Sequence, residues 1–174
     1  MKKIAFLLFI FCATQVFSQD MEALKASALR DAKATAEATL KQDFKTLLTY
    51  SHPNIVEGSG GAEFMENYLI QSFEQMKTQG FAIESAEVKF VSDVVKEQGE
   101  YRCYVQNKMV MSVKKKRFFL TGYTIGFFNE STKKWTFVEA KQMKDTGNGI
   151  PFFPNFKTSM NIPENTTEIK DIKE

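Results

Sequence analysis

Glu139 and His52 are the two residues of this chain with the most scope for acid–base chemistry. Glu139 closes the run Trp135-Thr136-Phe137-Val138-Glu139, whose period of two puts Trp135, Phe137 and Glu139 on one face of a strand. If that face lines a cavity, aromatic walls desolvate the carboxyl, raise its pKa and suit it to general acid or base work. In the alternative the strand end turns outward and Glu139 pairs with a surface lysine such as Lys141. His52 is the sole histidine, and imidazole is the side chain whose ordinary pKa lies near neutrality. Pro53 follows it directly, so His52 can equally end a helix with its ring bonded to backbone. Tyr68, Tyr104, Tyr123 and Trp135 could add the aromatic bodies with polar tips that small-molecule pockets use. Aromatics make up 13% of the chain, however, and most of them are expected to be core.

Other chemistries lack their residues. One histidine and two cysteines, with no HxH, CxxC or HExxH spacing, leave no basis for a metal site. There is no G-x-S-x-G elbow, phosphate-binding loop or dinucleotide fingerprint. A serine–histidine pair would need His52 as its base, and no partner nucleophile can be identified. The sequence therefore implies no cofactor and assigns no catalytic residue. It supports only ligand-contact candidates: Tyr68, Tyr104, Tyr123, Trp135, Glu139 and His52.

The N-terminus predicts where such a site would work. Lys2 and Lys3 precede an apolar run from Ile4 to Cys12, and Val16-Phe17-Ser18 offers a cleavage point before Gln19. Charge, apolar run and small residue in that order form an export signal. The run falls short of the roughly 17–25 residues a transmembrane helix needs, so no stable membrane anchor is expected. Cys12 could carry a lipid, but Phe11 stands where lipoprotein processing requires a small residue. The expectation is a periplasmic or secreted protein starting near Gln19. Cleavage would remove Lys2 and Lys3 from the 23 basic residues and leave the rest balanced against 21 acidic ones. A neutral chain has no long-range basic field, which argues against nucleic acid as a partner. Cleavage also removes Cys12, so Cys103 has no internal disulfide partner and reads as a small buried hydrophobe in a strand.

The remaining length suits one domain with its own core. From Met21 to Lys41 the chain is rich in Ala, Leu, Lys and Glu, and Leu29, Ala32, Ala36 and Leu40 recur on one helical face. Asp43 reads as the N-cap of a second short helix, ended by the His52-Pro53 pair. After a glycine-rich turn, a third helix runs from about Ala62 to Thr78 and stops at Gly80, with Met65, Leu69, Phe73 and Met76 on its apolar side. The period then changes to two. Four strands are expected: Ile83 to Val91, Glu100 to Val113 with a bulge near Gln106-Asn107-Lys108, Phe118 to Phe128, and Trp135 to Gln142. Short polar connections make them an antiparallel meander, and Gly122 with Gly126 on one face suits a strongly bent sheet. Ile150 to Phe156, apolar but broken by two prolines, is expected to lie over a hydrophobic surface. Residues from Asn165 onward are polar and expected to fray.

Helices followed by an antiparallel meander define an α+β order. Leu40-Lys41-Gln42-Asp43-Phe44, Leu47-Leu48, Tyr50 and His52-Pro53, the Gly60-Gly61 pair and Trp135 to Glu139 together resemble exported bacterial nuclear-transport-factor-2-like domains, over roughly residues 22–142. The resemblance implies a cystatin-like cone, in which N-terminal helices pack on a strongly curved four-stranded sheet that leaves a pocket at its open end. It implies this for a domain over residues 19–163, between the signal at 1–18 and a polar tail at 164–174. Members include ketosteroid isomerases, polyketide cyclases, dehydratases and ligand binders, so fold narrows function little. The isomerase set pairs an Asp base with a Tyr and a protonated Asp. No such set can be placed here, because Asp43 reads as a cap and Asp93 lies in a loop. The resemblance thus implies a non-catalytic pocket for a small apolar or amphipathic ligand. Its rivals are a cofactor-free isomerase or dehydratase using Glu139 or His52, and an interaction module that dimerises through its sheet face.

Overall fold

A computed structural model describes the backbone of residues 2–144 and 152–172, and side chains from Asp20 to Met143 and from Phe152 to Ile172. The expected export signal at 1–18 lies outside the described side chains, although its backbone continues the first helix. The chain runs through α1 (Lys2–Lys41), α2 (Phe44–Thr49), α3 (Pro53–Gly58) and α4 (Ala62–Thr78). There follow β1 (Phe81–Val91), β2 (Val95–Glu97), β3 (Glu100–Val113), β4 (Lys116–Asn129), β5 (Lys134–Glu139), α5 (Ala140–Lys144) and β6 (Thr166–Asp171). The α+β class is as expected, but the antiparallel sheet has six strands rather than four.

The four expected strands form its spine in the order β1-β3-β4-β5, with β2 added to β3 and β6 to β4. The bulge expected near Gln106 to Lys108 falls instead on β1, where the register slips between Ile83 and Ser85 and again between Val88 and Phe90. The second slip lies opposite Asn107 and Gln106, so the position is nearly right and the strand wrong. Beyond Glu139 the chain turns into α5 rather than continuing as a strand to Gln142. The polar tail does not fray from Asn165 onward: β6 pairs residue by residue with Lys116 to Thr121.

Both faces of the sheet are covered. On the inner face α1 packs Ala28 and Ala32 against Val91, Cys103, Val105, Trp135 and Phe137. Alanine lets the helix approach closely, and two hydrogen bonds fix its position. Trp135 donates its Nε1 to Ser27 Oγ at 2.8 Å and its backbone N to Asp31 Oδ2 at 2.9 Å. The buried stripe is thus Ala28, Asp31, Ala32 and Ala38; of the expected one, Ala32 is buried, Leu29 packs partly buried on the same core, and Leu40 is exposed. Gly126 is required under this contact. A Cβ there would stand 3.1 Å from Cys103 Sγ, Phe137 and Trp135 at once.

On the outer face the C-terminal segment lies across Tyr123, Ile125, Phe127 and Val138, contributing Phe152, Phe153, Phe156, Met160 and buried Ile162. This is the apolar cover expected of the proline-broken run. The β2–β3 hairpin, turned by Gln98 and Gly99 at positive φ, grips it. Gln98 Nε2 donates to Asn155 O, Arg102 Nη1 donates to Lys157 O, and Ser159 N donates to Glu97 Oε1.

The helical connections follow local rules. Asp43 caps α2 as expected, accepting from Thr46 N at 3.0 Å. Pro53 does more than stop the preceding helix. It opens α3, since its fixed φ and missing N–H cost nothing in a first turn. Residues Pro53 to Gly58, for which no helix is expected, form α3, and the expected glycine-marked turn follows at Ser59 to Gly61, with Gly60 and Gly61 at positive φ. The third expected helix is α4, which buries Phe73 but leaves Met76, Phe64 and Tyr68 exposed.

Candidate functional site

A cavity of about 490 Å³ opens between the second half of described α1 and the inner face of the sheet. It exists because its walls are small. Ala32, Thr35, Ala36 and Thr39 face it from α1, and Gly122 removes a side chain from the floor. A Cβ at Gly122 would meet only ordinary contacts, near 4 Å from Asn165 and Glu139. Met109, Leu120 and Phe137 supply apolar wall, while Asn107, Thr124, Glu139 and Asn165 supply polar groups.

The polar groups are held by one another. Asn107 Nδ2 donates to Thr124 Oγ1 at 3.3 Å. Thr35 and Thr39 donate their hydroxyls back to carbonyls one helical turn earlier, a bond that leaves their methyl groups to line the space. At the edge of β4 there is a break in the sheet: β5 pairs with Thr124 to Asn129, and β6 with Lys116 to Thr121. Asn165 fills that break. Its Oδ1 accepts from Tyr123 N at 3.2 Å and its Nδ2 donates to Glu139 Oε1 at 2.9 Å. The amide thus replaces a missing ladder bond and orients the carboxylate with a charge-assisted one.

Among the six candidates from sequence, Glu139 alone lines this cavity. Trp135 and Phe137 do share its face, but Trp135 is fully buried under α1 as packing. Tyr104 and Tyr123 point to the opposite face, where their rings meet at 6.1 Å in the outer core. Tyr68 is 62% exposed on α4. His52 belongs to a separate, shallower hollow of about 280 Å³ on the outer side, shared with Arg102, Glu100, Gln98 and the Phe152–Phe156 segment. The expected six-residue site is therefore divided among the cavity, the outer hollow, the exposed side of α4 and the two cores.

His52 behaves as a structural group. Its Nδ1 accepts from Asn54 N at 3.2 Å as the N-cap of α3, and its ring packs edge-on to Phe127 and Phe153. Burial holds the imidazole below its usual pKa, with smaller opposing effects from Glu100, which raises it, and Arg102, which lowers it. Beside it, Arg102 donates to Glu100 Oε2, Gln98 Oε1 and Lys157 O while stacking on Phe127 and Phe156. Its guanidinium is committed to holding the C-terminal segment. Cys103 is buried, and burial pushes its thiol up to about 12, so it is chemically quiet. Among the described residues no group of three or more His, Cys, Asp or Glu side chains could hold a metal ion.

Most cavity residues escaped the sequence reading, among them Thr35, Thr39, Asn107, Thr124 and Asn165. Thr35 and Thr39 continue the α1 face of Ala32 and Ala36, and Asn107 lies opposite Gly122 on β3, so both signals were present. Asn165 had none, because it acts from a segment without periodicity. Comparison with protein-family models, curated proteins and solved structures finds no match for this chain.

Proposed function

We propose that the protein is an exported, non-catalytic binder of a small amphipathic molecule, built on a nuclear-transport-factor-2-like plan. The cavity between α1 and the inner sheet face carries the reading, and its volume falls within the range of small-molecule sites. A long helix laid across an antiparallel meander, with a pocket at one end of their contact, accords with that plan. The walls suit an amphipathic occupant: apolar over Ala36, Met109, Leu120 and Phe137, and polar around Asn107, Thr124 and the Glu139–Asn165 pair.

Two features favour binding over catalysis. Two acidic groups line the cavity, and both are engaged: Asn165 occupies one oxygen of Glu139, and Glu87 is paired with Lys89. His52, the other acid–base candidate, is engaged as a helix cap on the far side of the sheet.

Native mass spectrometry of protein purified from its own host tests the proposal, together with uptake of the fluorescent probe anilinonaphthalene sulfonate. A retained small molecule, and probe uptake reduced at least about tenfold by Ala36→Phe, are expected, since the new ring fills the space. A ligand-free protein that takes up no probe, or uptake indifferent to Ala36→Phe, defeats it. Turnover of any substrate that vanishes in Glu139→Gln with the fold retained would replace binding by catalysis.

A further inference from the structure

We infer that β6 is a displaceable wall of the cavity, and that ligand enters and leaves by its release from β4 rather than by movement of α1. The inference rests on the ligand-binding reading and names how that site is opened. Three of the cavity's wall residues, Asn165, Thr166 and Thr167, come from this last stretch of chain.

The two walls differ in how they are held. The α1 wall is tied by buried Ala28 and Ala32, by the Trp135–Ser27 bond and by the buried Asp31 acceptor. Moving it would expose the inner core. Every residue of β6 is exposed, including Ile169 at 53%. Its attachments include the backbone ladder to Lys116–Thr121, the bond from Ile172 N to Lys115 O, and Lys170 over the Phe119 ring. Elements with solvent-exposed backbone bonds and little buried apolar surface are the first to open locally.

The segment leading to β6 also has the construction of a hinged arm. Its inner end is clamped: Gln98, Arg102 and Glu97 hold residues 155–159, and Ile162 is 5% exposed in the outer core. Pro163 follows that anchor at once. Asn165, two residues further on, is the latch, bonded to Tyr123 N across the break in the sheet and to Glu139 at the cavity. Opening breaks the Asn165 latch and a short exposed ladder while the outer core stays intact.

A reversible tether tests the arm. Phe119 and Glu168 are directly paired and neither lines the cavity, so Phe119→Cys with Glu168→Cys places two thiols across the β4–β6 ladder. Paired Cα atoms about 4.5–5.5 Å apart suit a disulfide. Cys103 is buried and stays out of the exchange. Stopped-flow uptake and release of anilinonaphthalene sulfonate are compared in the oxidised and reduced forms of the same protein. Both rates are expected to fall at least about tenfold on oxidation and to recover on reduction, with affinity nearly unchanged. Equal rates in the two forms overturn the arm and leave the binding reading standing. No uptake by the unsubstituted protein removes the binding reading, and the arm with it. Should the double variant misfold, hydrogen exchange on the unsubstituted protein decides the matter. The β6 amides are expected to exchange at least about tenfold faster than those of Ile125 to Phe127, and equal protection overturns the arm.

Discussion

Asp31→Ala should be among the most damaging single substitutions in this protein, because one buried carboxylate positions α1 on the sheet. The Asp31 side chain is 4% exposed and its Oδ2 accepts from Trp135 N at 2.9 Å. That N–H lies on β5, two residues before the Phe137 N that donates to Tyr50 O. Removing the acceptor strands a buried donor, which costs about 1–3 kcal/mol. Oδ1 also meets Arg30 at 2.8 Å, but the Arg30 side chain is 65% exposed, so solvent screening holds that pair to at most about 1 kcal/mol. The sum, about 1–4 kcal/mol, is a large share of the roughly 5–15 kcal/mol that holds a domain folded. Urea unfolding followed by the fluorescence of Trp135, the sole tryptophan, reads it directly. With a slope of about 2 kcal/mol/M the midpoint should fall by about 0.5–2 M. Asp31→Asn is the matched control. It keeps an acceptor for Trp135 N and loses only the screened pair, so it should cost about 1 kcal/mol or less. If Asp31→Asn is as damaging as Asp31→Ala, the charge matters rather than the acceptor. A loss below about 0.5 kcal/mol for Asp31→Ala would show that α1 is placed by apolar packing alone.

Three further outcomes follow from the same contacts. Gly126→Ala should destabilise the fold by about 1–3 kcal/mol, since its methyl meets three buried neighbours at 3.1 Å; a neutral result in urea unfolding would mean the inner core is loose. His52 has its folded pKa lowered by burial, so the neutral ring contributes stability above its unfolded value near 6.5, and that contribution is lost as the pH falls through the folded value. Urea midpoints compared at pH 7.5 and pH 5 should show a smaller drop in His52→Asn, which keeps a capping acceptor that does not titrate; an unchanged drop assigns the effect to other groups. Cys103, with its thiol pushed up to about 12, should resist Ellman's reagent at pH 8 until urea unfolds the protein, and prompt reaction of the native form would contradict its burial.

Much of the scaffold could be read from residue order, and the omissions have physical causes. The four long strands alternate because each buries at least one face, and Asp43 and Pro53 act through local backbone chemistry that needs no tertiary partner. β6 was missed because Thr166 to Asp171 bury nothing: an edge strand held by backbone bonds leaves no hydrophobic period. β2 is only Val95 to Glu97, too short for a period to register. Trp135, Phe137 and Glu139 were rightly placed on one face, yet no periodicity tells which face receives α1 and which the C-terminal segment. That ambiguity scattered the aromatic candidates. Tyr104 and Tyr123 have the alternation of wall residues, but their wall is the outer core. Asn165 works through a gap created where two strands share one edge of β4, a feature of topology rather than composition.

The contrast between the two faces bears on whether the cavity is a site or a packing defect. The outer face carries Phe127, Phe153, Phe156 and Ile162 interlocked, whereas the inner face next to the cavity carries Ala36, Gly122 and threonines. At roughly 24 cal/mol per Å³, a dry void of 490 Å³ would cost about 12 kcal/mol, as much as a whole domain's stability. The space must therefore hold water or a ligand. Asn107, Thr124, Glu139 and Asn165 can hydrogen-bond water, but the apolar groups that flank them along the sheet, Phe137 on one side and Met109 with Leu120 on the other, cannot hold it in place. Water that lacks partners is displaced favourably by an apolar group. The polar groups thus make the empty cavity tolerable and the apolar ones make it receptive, and an amphipathic molecule satisfies both.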